Sequence, residues 1–203
     1  MISTLIFDFG DVFINLDKEG AMRYALDIFK MNGLSADMIT LNQQYEQGFI
    51  STNEFTHGYQ QLVSGLSASE LHYIWNFIIK DFPVYRLDFL KELAKNSDYQ
   101  LILLSNTNEL HIDFIKSQVP FYEDFKNQFD RFYLSHEIQL RKPERSIYEF
   151  VLNSNSLRPE ECFFIDDTEE NTRTANEMGI HTWTIDPFNE DVIDLFRKFD
   201  HIL

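Results

Sequence analysis

The chain is poor in cysteine, glycine, proline and positive charge, and it has no long apolar run. Its one cysteine, Cys162, excludes an intrachain disulfide. Within the apolar run Cys162-Phe163-Phe164-Ile165 that thiol reads as a buried structural group rather than a nucleophile. Seven Gly and five Pro in 203 residues give no stretch the composition of a flexible linker, and no repeat or low-complexity segment occurs. Seventeen Lys and Arg stand against 33 Asp and Glu, a formal net charge of −16. That balance disfavours nucleic acid and anionic membrane surfaces as partners. Small anionic substrates stay open, because cations inside a cleft outweigh a distant acidic surface at physiological screening. No run of about 18 apolar residues exists. The residues before Asp8 carry neither a basic n-region nor an apolar h-region, so a cytoplasmic protein is the expectation.

The composition that remains, 44% hydrophobic and 25% charged, is that of a globular protein. The length suffices for one core of ordinary size plus a substantial insertion. Twenty Phe could feed an aromatic core, a seam between domains or an interface between copies. The run Ile2–Phe7 is short, β-branched and aromatic and predicts a buried strand that ends at Asp8-Phe9-Gly10-Asp11. Residues 18–96 read as helical, with Ser35, Ser51 and Ser67 as N-caps; Glu54 and Glu70 complete capping boxes. Strand signals return at 99–104, near 132–134, at 162–166 and at 181–185. Helices are expected from Glu109, over Ser146–Asn153, over 169–178 with Gly179 as C-cap, and after Pro187. This alternation implies a parallel sheet with right-handed crossovers. The expected organisation is an α/β core of Rossmann-like type, residues 1–16 and 97–203, with a helical block, 17–96, inserted after the first strand as a cap.

Ligands of such sheets bind outside the C-terminal strand ends, and four short segments fall there or in the adjoining loops. Asp8 closes the first strand; alone, it could be a turn or cap residue. Adjacent carboxylates at Asp166-Asp167 repel unless a cation or hydrogen bonds hold them. Mg²⁺ suits such an oxygen site, although capping of the next helix fits too. Ser105-Asn106-Thr107 offers a hydroxyl and backbone N–H groups for phosphate oxygens, or an N-cap. Lys142, between Arg141 and Pro143, places a point charge where a phosphoryl group would need one.

Taken in this order, the set resembles the haloacid-dehalogenase-like hydrolase superfamily along nearly the whole chain. The strings IFDFGDV, LLSNTNELH, YLSHEIQLRKPERSIYEFVL and FIDDTEENTRTANEMGI carry the likeness. They are similar to a branch that includes bacterial sugar-phosphate phosphatases acting on α-glucose 1-phosphate. The resemblance implies that Asp8 attacks phosphorus and forms an aspartyl-phosphate. It implies Mg²⁺ held by Asp8, the Gly10 carbonyl and Asp167, with Asp166 in support and Asn171 in the polar position that follows. Ser105 and Asn106 would grip phosphoryl oxygens, Lys142 would offset charge, and the cap would select the substrate, a small phosphorylated metabolite such as a sugar 1-phosphate. Gly10 departs from the superfamily's usual second Asp, the general acid and base, whose loss costs about 10²–10⁴ in rate. Asp11, Asp17, Glu46 and His57 are the substitutes on offer. The alternative is a leaving group that needs little protonation, such as an anomeric or acyl phosphate. Two other readings stay open: a metal-independent 2-haloacid dehalogenase, against which the acidic pair argues, and a phosphate-binding protein with little catalysis. In the helical block, 45–51 could reach the site entrance around Gly48 or pack as ordinary helices, and Trp75 reads as core.

Overall fold

The computed structural model describes residues 1–95 and 98–203. The expected boundary between 96 and 97 lies outside the described residues. Five strands, β1 (Thr4–Phe7), β2 (Gln100–Ser105), β3 (Arg131–Leu134), β4 (Cys162–Asp166) and β5 (His181–Thr184), form one parallel sheet in the order β3-β2-β1-β4-β5. β1 is central. Phe7 pairs with Leu103 on one side and Ile165 on the other, so Asp8, Ser105 and Asp166 finish at the same edge.

Both faces of the sheet are covered, and the strand sequences alternate accordingly. Leu5, Phe7, Leu101, Leu103, Phe163 and Ile165 pack into one buried layer. Ile6, Ile102, Leu104, Cys162 and Phe164 face the other. The first layer is covered by α5 (Val84–Lys95), α6 (Glu109–Gln118), α7 (Tyr122–Lys126) and α11 (Leu195–Phe199). The second is covered by α9 (Arg145–Ser154) and α10 (Glu169–Glu177). Cys162 is fully buried, and burial pushes its thiol up to about 12, which keeps it inert. Much of the phenylalanine goes into the first layer. Phe125 packs against Phe9, Phe13, Phe82, Phe129 and Phe132 at centroid distances of 5.0–6.2 Å. Such pairs add about 0.5–1.5 kcal/mol each beyond area burial.

The expected helical block divides. α1 (Lys18–Phe29), α2 (Ala36–Glu46), α3 (Thr52–Leu62) and α4 (Ala68–Asn76) share a core of their own around Phe29, Tyr45, Phe55, Tyr59 and Ile74. α5 instead buries Leu87, Leu90 and Leu93 with the sheet. Ser35 caps α2, and Ser51–Glu54 and Ser67–Glu70 form complete capping boxes on α3 and α4. The two connections to the bundle run antiparallel: Lys80 N–H donates to Asn15 C=O and Asp17 N–H to Ile78 C=O. Arg86, 5% exposed, locks this junction. Its guanidinium donates to both Asp191 oxygens, to Phe13 C=O and to Asn15 Oδ1. Two short helices were not expected, α7 and α8 (Ser135–Ile138), because five or four residues carry too little periodicity to register. The segment after Pro187 starts its helix only at Leu195, behind a 3₁₀ turn at Val192–Asp194.

Gly48, between α2 and α3, has φ +66°, and a Cβ there would sit 2.0 Å from the His136 carbonyl oxygen. This close backbone approach lets the α2–α3 corner seat against α8. Gly48→Ala is expected to destabilise the protein by about 2 kcal/mol, from the left-handed conformation and the collision together. Gly33→Ala, with open space around it, should be near neutral. Urea denaturation of both variants checks this.

Candidate active site

The C-terminal sheet edge collects the charged residues that the sequence singled out. Asp8 leaves β1 and is 8% exposed; Asp166 ends β4 with no exposure; Lys142, in the α8–α9 loop, is 1% exposed. Lys142 Nζ lies 2.5 Å from Asp166 Oδ2 and 2.9 Å from Asp8 Oδ1. The second contact is electrostatic rather than an aligned hydrogen bond, which leaves Asp8 Oδ1 a buried atom without a hydrogen-bond partner. Burial works against the Lys142 ammonium, but Asp166 and Asp8 outweigh it and raise its pKa. Asp8 itself is pushed up to about 7, chiefly by burial; Lys142 opposes the shift and Asp166 and Asp167 add to it.

The backbone around Lys142 is held by a residue expected to touch phosphate. Asn106 Nδ2 donates to Lys142 C=O at 2.8 Å, and Lys142 N–H donates to Asn106 Oδ1 at 2.9 Å. Asn106 and Thr107 line the cavity above the site, whereas Ser105 is buried at the end of β2 and is not part of that lining. Asp166 is saturated: Oδ1 accepts from Thr168 N–H and Asn171 Nδ2, and Oδ2 accepts from Asn171 and Lys142. Asp167 points the other way, onto Lys18, whose ammonium also lies 2.9 Å from Asp11 Oδ2. Burial raises the Asp167 pKa and Lys18 opposes it. Lys18 had no motif to mark it, since its partner Asp167 lies 149 residues away.

Asp8, Asp166 and Asp167 each offer a carboxylate oxygen within 4.8 Å of the other two. Four carboxylates, counting Asp11, face two ammonium groups here, which leaves the charge deficit a divalent cation fills. The all-oxygen donor set fits Mg²⁺. Asp166, with both oxygens committed, contributes charge and holds Lys142.

A cavity of about 530 Å³ opens over this edge, with the helical bundle as its roof. Asn42, Glu46 and Trp75 come from the bundle; Gly10, Lys142 and Arg141 from the core. Glu46 Oε2 accepts from Arg141 Nε at 2.7 Å, and its C=O accepts from Ser135 Oγ at 2.6 Å. Thus the end of α2 is fastened to the core by both side chain and backbone, and part of the 45–51 stretch does reach the cavity. Trp75 serves two surfaces: it packs on Phe55 at 4.6 Å in the bundle core and lines the cavity. Its carbonyl faces His111 Nε2 at 3.0 Å.

The four candidates for a proton donor fare differently. Asp11 accepts from Leu16 N–H and pairs with Lys18; Asp17 caps α1 through Gly20 N–H; His57 is exposed and outside the cavity lining; Glu46 lines it but is paired with Arg141. At Gly10 a Cβ would meet Leu16 Cδ1 at 2.6 Å, so a side chain there requires Leu16 to turn aside.

The fold and this edge are those of an α/β hydrolase with an acidic, metal-accepting site. The haloacid dehalogenase-like hydrolase model matches residues 2–179, and the chain belongs to that family. It is 28% identical over 194 residues to a D-ribitol-5-phosphate phosphatase of Bacteroides thetaiotaomicron, covering 90% of this chain and 91% of that one. A family enzyme of the same organism, solved with magnesium and inorganic phosphate, aligns with a TM-score of 0.80 at 33% identity, over 97% of this chain and 100% of that one. A predicted HAD-like family hydrolase of Porphyromonas gingivalis aligns with a TM-score of 0.82 at 27% identity, over 98% and 97%. Among the described residues no helix is long and apolar enough to cross a membrane.

Two outcomes follow from the buried charges. Lys142→Met strands Asp166 and Asp8 without their cation and should cost about 3–5 kcal/mol by chemical denaturation, with Lys142→Met/Asp166→Asn recovering part of it. Because the folded Asp8 binds its proton more tightly than the unfolded chain does, its charge costs stability as pH rises from about 4 through about 7. Without metal, Asp8→Asn should therefore raise the melting temperature at pH 8 and leave it nearly unchanged at pH 4.

Proposed function

We propose that the protein is a Mg²⁺-dependent phosphatase that hydrolyses a small phosphorylated metabolite through an aspartyl-phosphate. The observation that carries this is Asp8: a carboxylate at the centre of the sheet edge, held against a buried lysine, lining the cavity beside Asp166 and Asp167. Mg²⁺ would be held by Asp8, the Gly10 carbonyl and Asp167, with Asp166 in support, and supplies charge stabilisation for the phosphoryl oxygens.

An Asp8 carboxylate oxygen attacks phosphorus in line, and the bond from phosphorus to the leaving oxygen breaks with its electron pair on that oxygen. Lys142 offsets negative charge on Asp8 and the phosphoryl group. Asn106 keeps Lys142 in place through two hydrogen bonds and presents backbone at the phosphate end of the cavity, beside the Ser105 strand end. Water then attacks phosphorus, releases inorganic phosphate and returns the Asp8 carboxylate. The bundle covers the site and limits water.

Gly10 brings no proton donor, and the nearby acids are engaged elsewhere. We therefore read the substrate as one whose leaving group departs with little protonation, an anomeric sugar phosphate or an acyl phosphate. The relative's action on D-ribitol 5-phosphate supports a sugar-like metabolite and names a competitor for the test.

With Mg²⁺, the protein should turn over p-nitrophenyl phosphate, and Asp8→Asn should lower kcat by at least about 10³. Across a panel, kcat/KM for α-glucose 1-phosphate and acetyl phosphate should exceed that for simple alkyl phosphates by about 10²–10⁴. Equal rates for wild type and Asp8→Asn would mean phosphate binding without catalysis. Halide release from 2-haloacids, unaffected by chelator, would replace this reading with a dehalogenase.

A further inference from the structure

We propose that the active-site cavity has a second compartment, inside the helical bundle, that binds an uncharged apolar arm of the leaving group. The proposal rests on the phosphatase reading and specifies its substrate class. The compartment is a groove of about 190 Å³ along α1, walled chiefly by Ala21, Ala25, Phe29, Leu34 and Ile74, with Met22 and Lys18 at its open side. It adjoins the larger cavity: Lys18, Asn42, Trp75, Ile78 and His111 line both. At about 30 Å³ for each water-sized group, it accepts a short alkyl chain or a single ring.

Packing alone does not account for this space. α1 turns Ala21 and Ala25, one helical turn apart, toward Phe29 and Ile74, where larger side chains would close the bundle core.

The partition residues are also already neutral or engaged. Tyr59 OH donates to Asn42 Oδ1 at 2.7 Å. His111 exchanges hydrogen bonds with Asn108 and the Trp75 carbonyl, and burial holds its pKa down at about 4, so it presents no charge. Trp75 Nε1 is buried with no hydrogen-bond partner. The ammonium at the mouth, Lys18, is tied to Asp11 and Asp167. A ligand passing Trp75 thus leaves the charged phosphate end and meets hydrocarbon.

Acyl phosphates isolate the arm, because acetyl, butyryl and hexanoyl phosphate share nearly the same leaving-group acidity and differ in length. With Mg²⁺ and the wild-type protein, kcat/KM should rise about threefold for each methylene that enters the compartment, at least about tenfold from acetyl to hexanoyl. Ala25→Leu, which fills the compartment, should bring the hexanoyl-to-acetyl ratio down to near one. Ala21→Leu serves the same purpose if the first variant folds poorly. A flat series in the wild type, or a rise that survives both fillings, overturns the proposal. If neither an acyl phosphate nor p-nitrophenyl phosphate is turned over, the phosphatase reading fails. Calorimetry with methylphosphonate and hexylphosphonate then decides the compartment by itself. Tighter hexylphosphonate binding that Ala25→Leu removes upholds it, and equal affinities overturn it.

Discussion

Lys142 Nζ is taken wholly out of water and placed between Asp166 and Asp8. A buried ammonium is tolerated only where carboxylates and fixed geometry repay its lost hydration. Here that repayment reaches far into the fold. Asp166 has to finish β4 where Asn171, in the first turns of α10, can also donate to it. Asn106 has to leave β2 so that its amide grips the Lys142 backbone. β1 has to lie between these two strands to deliver Asp8. The strand order, the α8–α9 loop and the start of α10 are thereby tied to one charge. The arrangement keeps Asp8 in an environment where burial works against its anion, so that a bound cation meets a carboxylate in need of one.

The helical bundle is fixed to this edge at several points with different chemistry, among them Thr52 Oγ1 donating to the Glu109 carboxylate. Glu46 meets Arg141 and Ser135; Tyr45 OH accepts from the Leu110 N–H; the Trp75 carbonyl faces His111. All of these pull the bundle toward the loops that follow β2 and β3, on one side of the cavity. On the other side, contact passes through Lys18 and the carboxylates below it. The seam is therefore closed by hydrogen bonds and one ion pair on that side, and bordered by the site's own charges on the other.

The strands and the motif residues were legible in the sequence because both leave local marks. Short β-branched runs stop at Asp8, Ser105 and Asp166, and serines stand three residues before glutamates at two helix starts. Lys18, Arg86 and the Glu46–Arg141 pair left no such mark. Their partners lie 149, 105 and 95 residues away, and a lone Lys or Arg on a helix is usually solvated. The split of the helical block was hidden for a similar reason. α5 has the same amphipathic pattern as its predecessors, and only its packing assigns Leu87, Leu90 and Leu93 to the sheet. Ser105 shows the converse limit: its place at a strand end was readable, but its absence from the cavity lining was not.

The antiparallel pairing of the two bundle connections, Leu16 bridged to Ile79, has a topological consequence. To the sheet, everything between those residues behaves as the tip of a hairpin, since the chain leaves and returns at one place. The core can close around β1 and α5 without waiting for the bundle, and the loop-closure entropy of the insert changes only slowly with its length. A segment joined in this way is free to lengthen, shrink or be exchanged in the course of descent while the buried lysine and its two carboxylates stay as they are. The part of the molecule that roofs the cavity is the part whose replacement the core would register least.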